Sequence, residues 1–409
     1  MRYARAEGAP YTPIYFLSSL GAGGLAISFF MYLMWMTPHK GQPIPSFTTL
    51  QAALADGDLA TQALIIAAAL GIIVFAYLHV RTLLWNVREY FAWKQTAGYE
   101  AFLKSNNQSQ LTAIPLAFAM SINVGFIIGA VFVPGLWEIA EYLFPAALAA
   151  FAVTGYFALK FFGGFFTRVL TEGGFDCARN NSFGQLLSAF SLAMVGVGFS
   201  SAAAMSHVKL TSAIAFMGSV FFLVAAILLG AIFLVMGFRA MMEHSAERET
   251  TPTLWIIIPF ITVIGIAFYR LNKGLDHNFG VEFSAGSAFS LLTVLFSIQL
   301  VFGLLGYMVM RRFGYFEHFV SGEGRSPGAY ALICPGVALF VFGNFVINAG
   351  LVQIGILETF SIAWFVLYAP LLYLQVKTIA VYFRLNGKML GNHPAHPASP
   401  LPSRVNLQQ

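Results

Sequence analysis

Ten long apolar segments account for most of this chain of 409 residues and restrict it to folds that cross a lipid bilayer. An apolar stretch of about 18 residues can span the hydrocarbon core as a helix. Lipid offers the backbone no hydrogen-bond partner, so a spanning segment must satisfy its own amides and carbonyls. The sequence therefore predicts an all-α polytopic membrane protein. The predicted spans are residues 14–36, 61–80, 112–134, 143–165, 183–205, 210–238, 253–269, 288–310, 330–350 and 358–382.

The gaps between these spans are too short for a soluble domain, so we predict one ten-helix transmembrane domain over residues 1–390. The remaining residues, 391–409, are rich in Pro, His and Ser, which is typical of a disordered tail. His393 and His396 in this tail form too short a set to predict a metal site.

Lysine and arginine residues concentrate in alternate gaps. Of the 22 in the chain, 18 lie at the termini or in the even-numbered gaps and their edges. The positive-inside rule then places both termini in the cytoplasm, as expected for a multi-pass protein of the cell inner (plasma) membrane. The net charge of +5 follows from this topology, so we expect membrane lipid around the protein and no nucleic-acid partner. The basic residues predicted on the opposite side are Lys40, Lys209, Arg270 and Lys273.

Small and polar residues favour the odd-numbered spans. These contain 23 Gly, Ser and Asn residues in 107 positions, against 14 in 120 positions of the even-numbered spans. Small residues allow helices to approach closely, and polar ones must face protein or water. We therefore predict an inner ring of odd-numbered helices. A packing role alone would also explain the small residues.

The residues that are missing from the spans narrow the chemistry. No acidic or basic residue lies near the middle of a predicted span, although ion-coupled pumps usually carry carboxylates there. His79 is expected to close the second helix, and the pair of intramembrane histidines typical of a b-type haem is not found. Cys177 and Cys334 are placed too far apart to pair. We accordingly predict no catalytic residues, no metal, no cofactor and no enzymatic activity.

The ninth span carries the most suggestive pattern. Pro335 removes a backbone donor and Gly336 permits close approach, which predicts a broken helix beside Cys334. Broken helices in membranes line cavities, where freed amides can hold anions. Asn344 and Asn348 are four residues apart and share one face. The alternatives are hydrogen bonding between helices for the two asparagines and ordinary packing for the thiol.

These features together resemble the tellurite-resistance/dicarboxylate transporter family, which includes the plant slow-anion channels. The stretch 251–260 resembles the family's seventh helix, and Cys334-Pro335-Gly336 resembles the Phe-Pro step of its ninth. The resemblance implies five helical hairpins around a central pore, a small anionic solute and a possible homotrimer. More narrowly, the chain resembles the bacterial TsoY-type membrane (seleno)proteins, in which cysteine or selenocysteine is a marked feature.

In that family a phenylalanine of the ninth helix plugs the pore, and the resemblance places Cys334 at its position. Other phenylalanines would then form the constriction. The candidates for lining or gating the pore are Cys334, Pro335, Gly336, Phe340, Phe342, Asn344, Phe345, Asn348, Asn123, Ser121, Pro259 and Thr262.

A second resemblance points to another functional class. The stretch 13–24, with its glycines, is similar to the first helix of NrfD-like quinol subunits of redox complexes. An axial pore within a ring of hairpins would favour the transporter, and a lateral quinone pocket would favour the quinol subunit. The transported solute is left open among chloride-like anions, carboxylates and sulfur or tellurium oxyanions.

Overall fold

The computed structural model describes residues 10–391 together with Tyr3 and Arg5. These residues form helices and loops, with no strand among them, and ten of the helical segments are long and apolar enough to cross a membrane. The predicted all-α, ten-span class is confirmed. The ten segments are α1 Pro13–Met36, α2 Leu59–Trp93, α3 Asn106–Phe132, α4 Leu136–Glu172, α5 Leu186–Met205, α6 Lys209–His244, α7 Arg248–Phe279, α8 Ala285–Arg312, α9 Pro327–Val352 and α10 Ile362–Met389.

The tail predicted from residue 391 onward lies outside the described residues, apart from Gly391, and so do His393 and His396. Both cysteines are described and neither is in a disulfide, as expected.

Several helices extend well beyond their predicted spans. The 35 residues of α2 give a length of about 50 Å, against about 30 Å of hydrocarbon, so its ends leave the apolar layer. His79 consequently lies buried within α2 and does not close it, which corrects the prediction from sequence. The seventh helix continues to Phe279, so Arg270 lies within the helix and not in a loop beyond it.

The ten helices form an inner and an outer layer. In the most apolar stretch of 18 residues of each odd-numbered helix, 50–94% of the residues are buried. The corresponding share in the even-numbered helices is 17–33%. Each odd helix packs against the next odd helix and α9 packs against α1, which closes a ring of five. Each also packs against the even helix that follows it in sequence. The predicted five hairpins with an inner odd-numbered ring are therefore confirmed.

Glycines allow the inner helices to approach this closely. A Cβ atom at Gly274 of α7 would collide with the backbone carbonyl of Ala203 on α5, which cannot move aside easily. A Cβ atom at Gly198 of α5 would overlap the ring of Phe151 on α4. The excess of small residues in the odd helices thus has a direct packing cause.

Three inner helices begin in the same way, with a 3-10 turn that passes into α-helix two residues before a proline. The α-helical parts of α3, α7 and α9 start at Ala113, Ile257 and Ile333. Their prolines, at positions 115, 259 and 335, therefore occupy the first turn, where a missing amide costs little.

The helix break predicted at Pro335 is consequently wrong. The amide of Ile333, where the α-helical part begins, donates to the carbonyl of Tyr330 in the preceding 3-10 turn, so this amide is not freed. The real irregularity of α9 comes later, in the π-helical turns at Phe345–Val352.

The α5–α7 contact yields a stability prediction. Gly274→Ala should lower the free energy of unfolding by about 1–3 kcal/mol, because the added methyl group forces two packed backbones apart. Gly125→Ala is the matched control, since open space surrounds that position on α3. Thermal unfolding in detergent measures both variants. Equal melting temperatures for the two would contradict the close approach of α5 and α7.

Candidate functional site

A cavity of about 170 Å³ lies on the axis of the inner ring. All five inner helices contribute to its wall, and most of the lining side chains are aliphatic, phenylalanine or methionine. The polar members of the lining are Asn123, Ser201, Thr262, Arg270 and Cys334. The cavity is therefore an apolar chamber with a few convergent polar groups, which is the usual make-up of a small-solute site.

One outer helix also reaches this axial cavity. Phe144, Leu148 and Phe151 of α4 are part of its wall, although the inner ring was predicted to line the axis alone. The reason is local, because Gly198 leaves room for the ring of Phe151 beside α5. Among the described residues of α2, α6, α8 and α10, none lines the cavity.

A second cavity, of about 580 Å³, lies at the end of the bundle where α1 begins and α10 ends. We call it the vestibule, and side-chain amides such as those of Asn106, Asn180 and Gln185 line much of it. Phe190 of α5, Pro259 of α7 and Cys334 of α9 line both cavities. These three residues form the junction between the vestibule and the axial cavity.

Arg270 of α7 is the only charged residue among those that line the axial cavity. Its Nη1 donates to Ser201 Oγ at 2.8 Å and lies 3.5 Å from the carbonyl oxygen of Val197, both on α5. Within residues 10–391, no carboxylate forms an ion pair with it. The site therefore holds one uncompensated positive charge, eleven residues or about 16 Å along α7 from Pro259 of the junction.

Sequence reasoning missed Arg270 because the apolar run of the seventh span ends at residue 269. The helix continues for ten residues past that point, and the α5–α7 contact turns Arg270 inward. The spacing of residues beyond 269 did indicate that the helix continues. Arg270, Gly274 and His277 recur at intervals of four and three residues, which marks one face of a continuing helix.

Four of the twelve predicted pore residues line the axial cavity. They come from three inner helices: Asn123 from α3, Pro259 and Thr262 from α7, and Cys334 from α9. The Asn123 amide has only a weak contact, 3.8 Å to the sulfur of Met194, so its polar atoms remain available to a solute. Thr262 Oγ1 donates to the carbonyl of Ile258 at 2.9 Å and presents mainly its acceptor side.

The two asparagines of α9 face α10 and not the axis. Asn344 Oδ1 accepts a hydrogen bond from the hydroxyl of Tyr368 at 2.7 Å, and Asn348 Oδ1 accepts one from Trp364 Nε1 at 3.1 Å. Both side-chain amides donate to carbonyls one turn earlier in α9. Hydrogen bonding between helices is thus their role, and their assignment to the pore lining is corrected.

The three phenylalanines proposed as a constriction also lie away from the cavity. Phe340 packs against Tyr32 and Tyr368, and Phe342 stacks on Phe296 of α8. Phe345 packs edge-on against aromatic rings of α1 and α7. They fill the spaces between helices because their positions on α9 direct the side chains towards neighbouring helices and not towards the axis. The phenylalanine at the junction is Phe190, which the sequence did not single out.

Ser121 serves an interhelical contact as well. A hydrogen bond of 2.8 Å joins Nε2 of His79 on α2 to Ser121 Oγ. The Nδ1 atom of His79 lies 2.8 Å from the carbonyl oxygen of Ser19 on α1. The imidazole thereby joins α2 to both α1 and α3. Its polar atoms are satisfied inside the bundle, and neither residue lines the axial cavity.

Pro335 and Gly336 line a different, lateral pocket of about 330 Å³, bordered by α7, α8, α9 and α10. This pocket bears on the quinol alternative. Its lining holds no histidine and no carboxylate that could accept protons from a quinol, and Lys377 is its only charged residue. The charged residue of the axial cavity, by contrast, is an arginine, Arg270.

The junction gives a prediction for Cys334. In a Cys177→Ser background, a small maleimide should modify Cys334, and the adduct should obstruct the passage between the two cavities and reduce solute flux. Mass spectrometry and a liposome flux assay measure the two effects. Cys334→Ala in the same background is the control and should be insensitive to the reagent. Labelling of the wild type confined to Cys177 would show that the thiol is ordinary packing.

Comparison with known proteins assigns no family to the chain. No protein-family model matches the sequence, and no curated protein matches it. Membership of the tellurite-resistance/dicarboxylate transporter family is therefore a proposal that rests on the sequence features given above. What the structure establishes is a ten-helix membrane protein with an axial cavity that contains one arginine.

Proposed function

We propose that the protein moves a small anion across the membrane along the axis of the inner ring, with Arg270 as the group that binds it. The observation that carries this proposal is the guanidinium of Arg270 in the axial cavity, without a carboxylate partner in the described part of the chain. Transport, and not catalysis, is the function this arrangement supports.

Electrostatics explains why such a site would attract anions. An arginine in a membrane helix costs on the order of 3 kcal/mol at the centre of the bilayer and less towards its surface, and a neighbouring carboxylate would reduce that cost. Here only a hydroxyl and a carbonyl oxygen of α5 contact the side chain. A mobile anion can supply the missing negative charge, and the apolar surroundings strengthen the attraction because they screen it less than water does.

The two cavities suggest the route. A solute from the vestibule would pass the junction of Phe190, Pro259 and Cys334 and then reach Arg270 at the far end of the axial cavity. Asp176, Glu247 and Glu249 also line the vestibule, against Arg179 alone, so we assign the binding of the anion to Arg270 and not to this entrance. The junction is where the two cavities meet, so we expect a change in it to alter the flux.

The distribution of basic residues supports an orientation for this route. With both termini in the cytoplasm of an inner membrane, the vestibule would be the cytoplasmic entrance and Arg270 would lie nearer the outer surface. The proposed membership of the tellurite-resistance/dicarboxylate transporter family agrees with this picture, since ring-shaped anion pathways are what the resemblance implies.

Removal of the charge tests the proposal. Arg270→Gln should reduce chloride or nitrate flux into proteoliposomes at least about tenfold, because a charge-assisted hydrogen bond in an apolar site is worth about 1.5–3 kcal/mol. Lys273→Gln is the matched control. It removes the same charge from the same helix, but Lys273 lies over the ring of Phe283 and does not line the cavity.

The stability of the variant separates function from folding. Loss of an uncompensated cation should not destabilise the bundle, so Arg270→Gln should melt in detergent at or above the wild-type temperature. Unchanged flux in Arg270→Gln, or an equal loss in Lys273→Gln, would contradict the role of Arg270. A wild-type protein that moves no anion at all would contradict the proposed function itself.

A further inference from the structure

The hydrogen bonds of Arg270 use only one of its nitrogens. Nη1 contacts Ser201 Oγ and lies near the carbonyl of Val197 on α5. Within residues 10–391, neither Nε nor Nη2 has a hydrogen-bond partner or a salt bridge. The Nε–Nη2 edge of a guanidinium carries two parallel N–H groups, and this edge matches the two oxygens of a carboxylate in a bidentate pair.

The charge of the cavity limits the ligand to a single negative charge. Arg270 is the only charged residue in the lining, and the other polar members are Asn123, Ser201, Thr262 and Cys334. One carboxylate would neutralise the site. The second charge of a dicarboxylate or of a divalent oxyanion would face apolar walls without a partner, which is costly.

The walls and the volume indicate a ligand with an apolar body. Phe126, Phe144, Phe151 and Met194 are among the side chains that surround the space between Arg270 and the junction. The cavity volume of about 170 Å³ is many times the roughly 10–15 Å³ that one water molecule needs on the same measure. An ion of three or four atoms beside Arg270 would leave most of that space to water with few polar partners, whereas an alkyl or aryl group would fill it with apolar contacts.

We infer that the axial cavity binds a small monocarboxylate with an apolar tail, of the class of butyrate or benzoate. The carboxylate pairs with the Nε–Nη2 edge of Arg270, and the tail points along the axis towards the junction. This inference rests on the proposed function, since it names the class of anion that the same site selects.

Two assays on the full-length protein test the inference: ligand binding in detergent, and competition for flux in proteoliposomes. Butyrate and benzoate should raise the melting temperature and should bind at least about tenfold more tightly than chloride or succinate, as measured by calorimetry. Benzoate should also compete with chloride flux in proteoliposomes.

Two variants test separately the planar shape of the Arg270 guanidinium and the space that the cavity leaves for an apolar tail. Arg270→Lys keeps the charge but loses the planar fork, so benzoate affinity should fall about tenfold, a larger factor than the fall in chloride affinity. Ala147→Leu narrows the space beside the apolar wall contributed by α4, so it should weaken benzoate binding by a larger factor than acetate binding. An Arg270→Lys variant with the benzoate affinity of the wild type would overturn the bidentate pairing.

The outcomes also distinguish this inference from the proposed function. Chloride or nitrate flux that depends on Arg270, together with no preference for apolar carboxylates, would overturn the inference and leave the proposed function intact. Tighter binding of nitrate than of benzoate would overturn it too, since it would show a site for small planar ions. Carboxylate binding that is unaffected by Arg270→Gln would place the carboxylate elsewhere and overturn the inference, while the flux of chloride or nitrate in this variant would still decide the proposed function.

Discussion

Hydrocarbon provides no hydrogen-bond partner for a polar group, and this constraint shapes the whole molecule. It forces the spanning segments into helices, and it directs their polar side chains towards other helices or towards enclosed space. The outer helices turn apolar side chains to lipid and meet the inner ring through a few hydrogen bonds. Those of His79 with Ser19 and Ser121 and of Gln375 with Ser28 satisfy polar groups inside the bundle.

Arg270 is the exception that gives the structure its chemistry. Thr262, Asn344 and Asn348 of the inner ring each donate to a carbonyl of their own helix. Asn123 has only a weak contact with Met194, but it carries no charge. The guanidinium of Arg270 is held by α5 on one side only and faces an apolar chamber on the other. An uncompensated charge at such a position costs stability, and the anion binding proposed for Arg270 would offset that cost.

The architecture was accessible from the sequence because it depends on composition along the chain. The lengths of the apolar segments predicted the ten spans, and the distribution of Gly, Ser and Asn among them predicted the inner ring. The site was only partly accessible, since it depends on which way each helix is rotated. Asn344 and Asn348 do share a face, but that face meets α10. Pro335 does sit near the start of a helix, but in a turn that tolerates it. Arg270 was missed because hydropathy marks where apolar residues end and not where the helix ends.

The most direct measurement of the central claim is the position of an anion in the bundle. Crystals of the protein grown or soaked with bromide, or with 4-bromobenzoate, give an anomalous difference signal from bromine alone. The account predicts a bromide peak within hydrogen-bonding distance of the Arg270 guanidinium, and a bromine peak between Arg270 and the junction for the carboxylate. An axial cavity without such a peak, or an Arg270 side chain paired with a carboxylate of the protein itself, would contradict it.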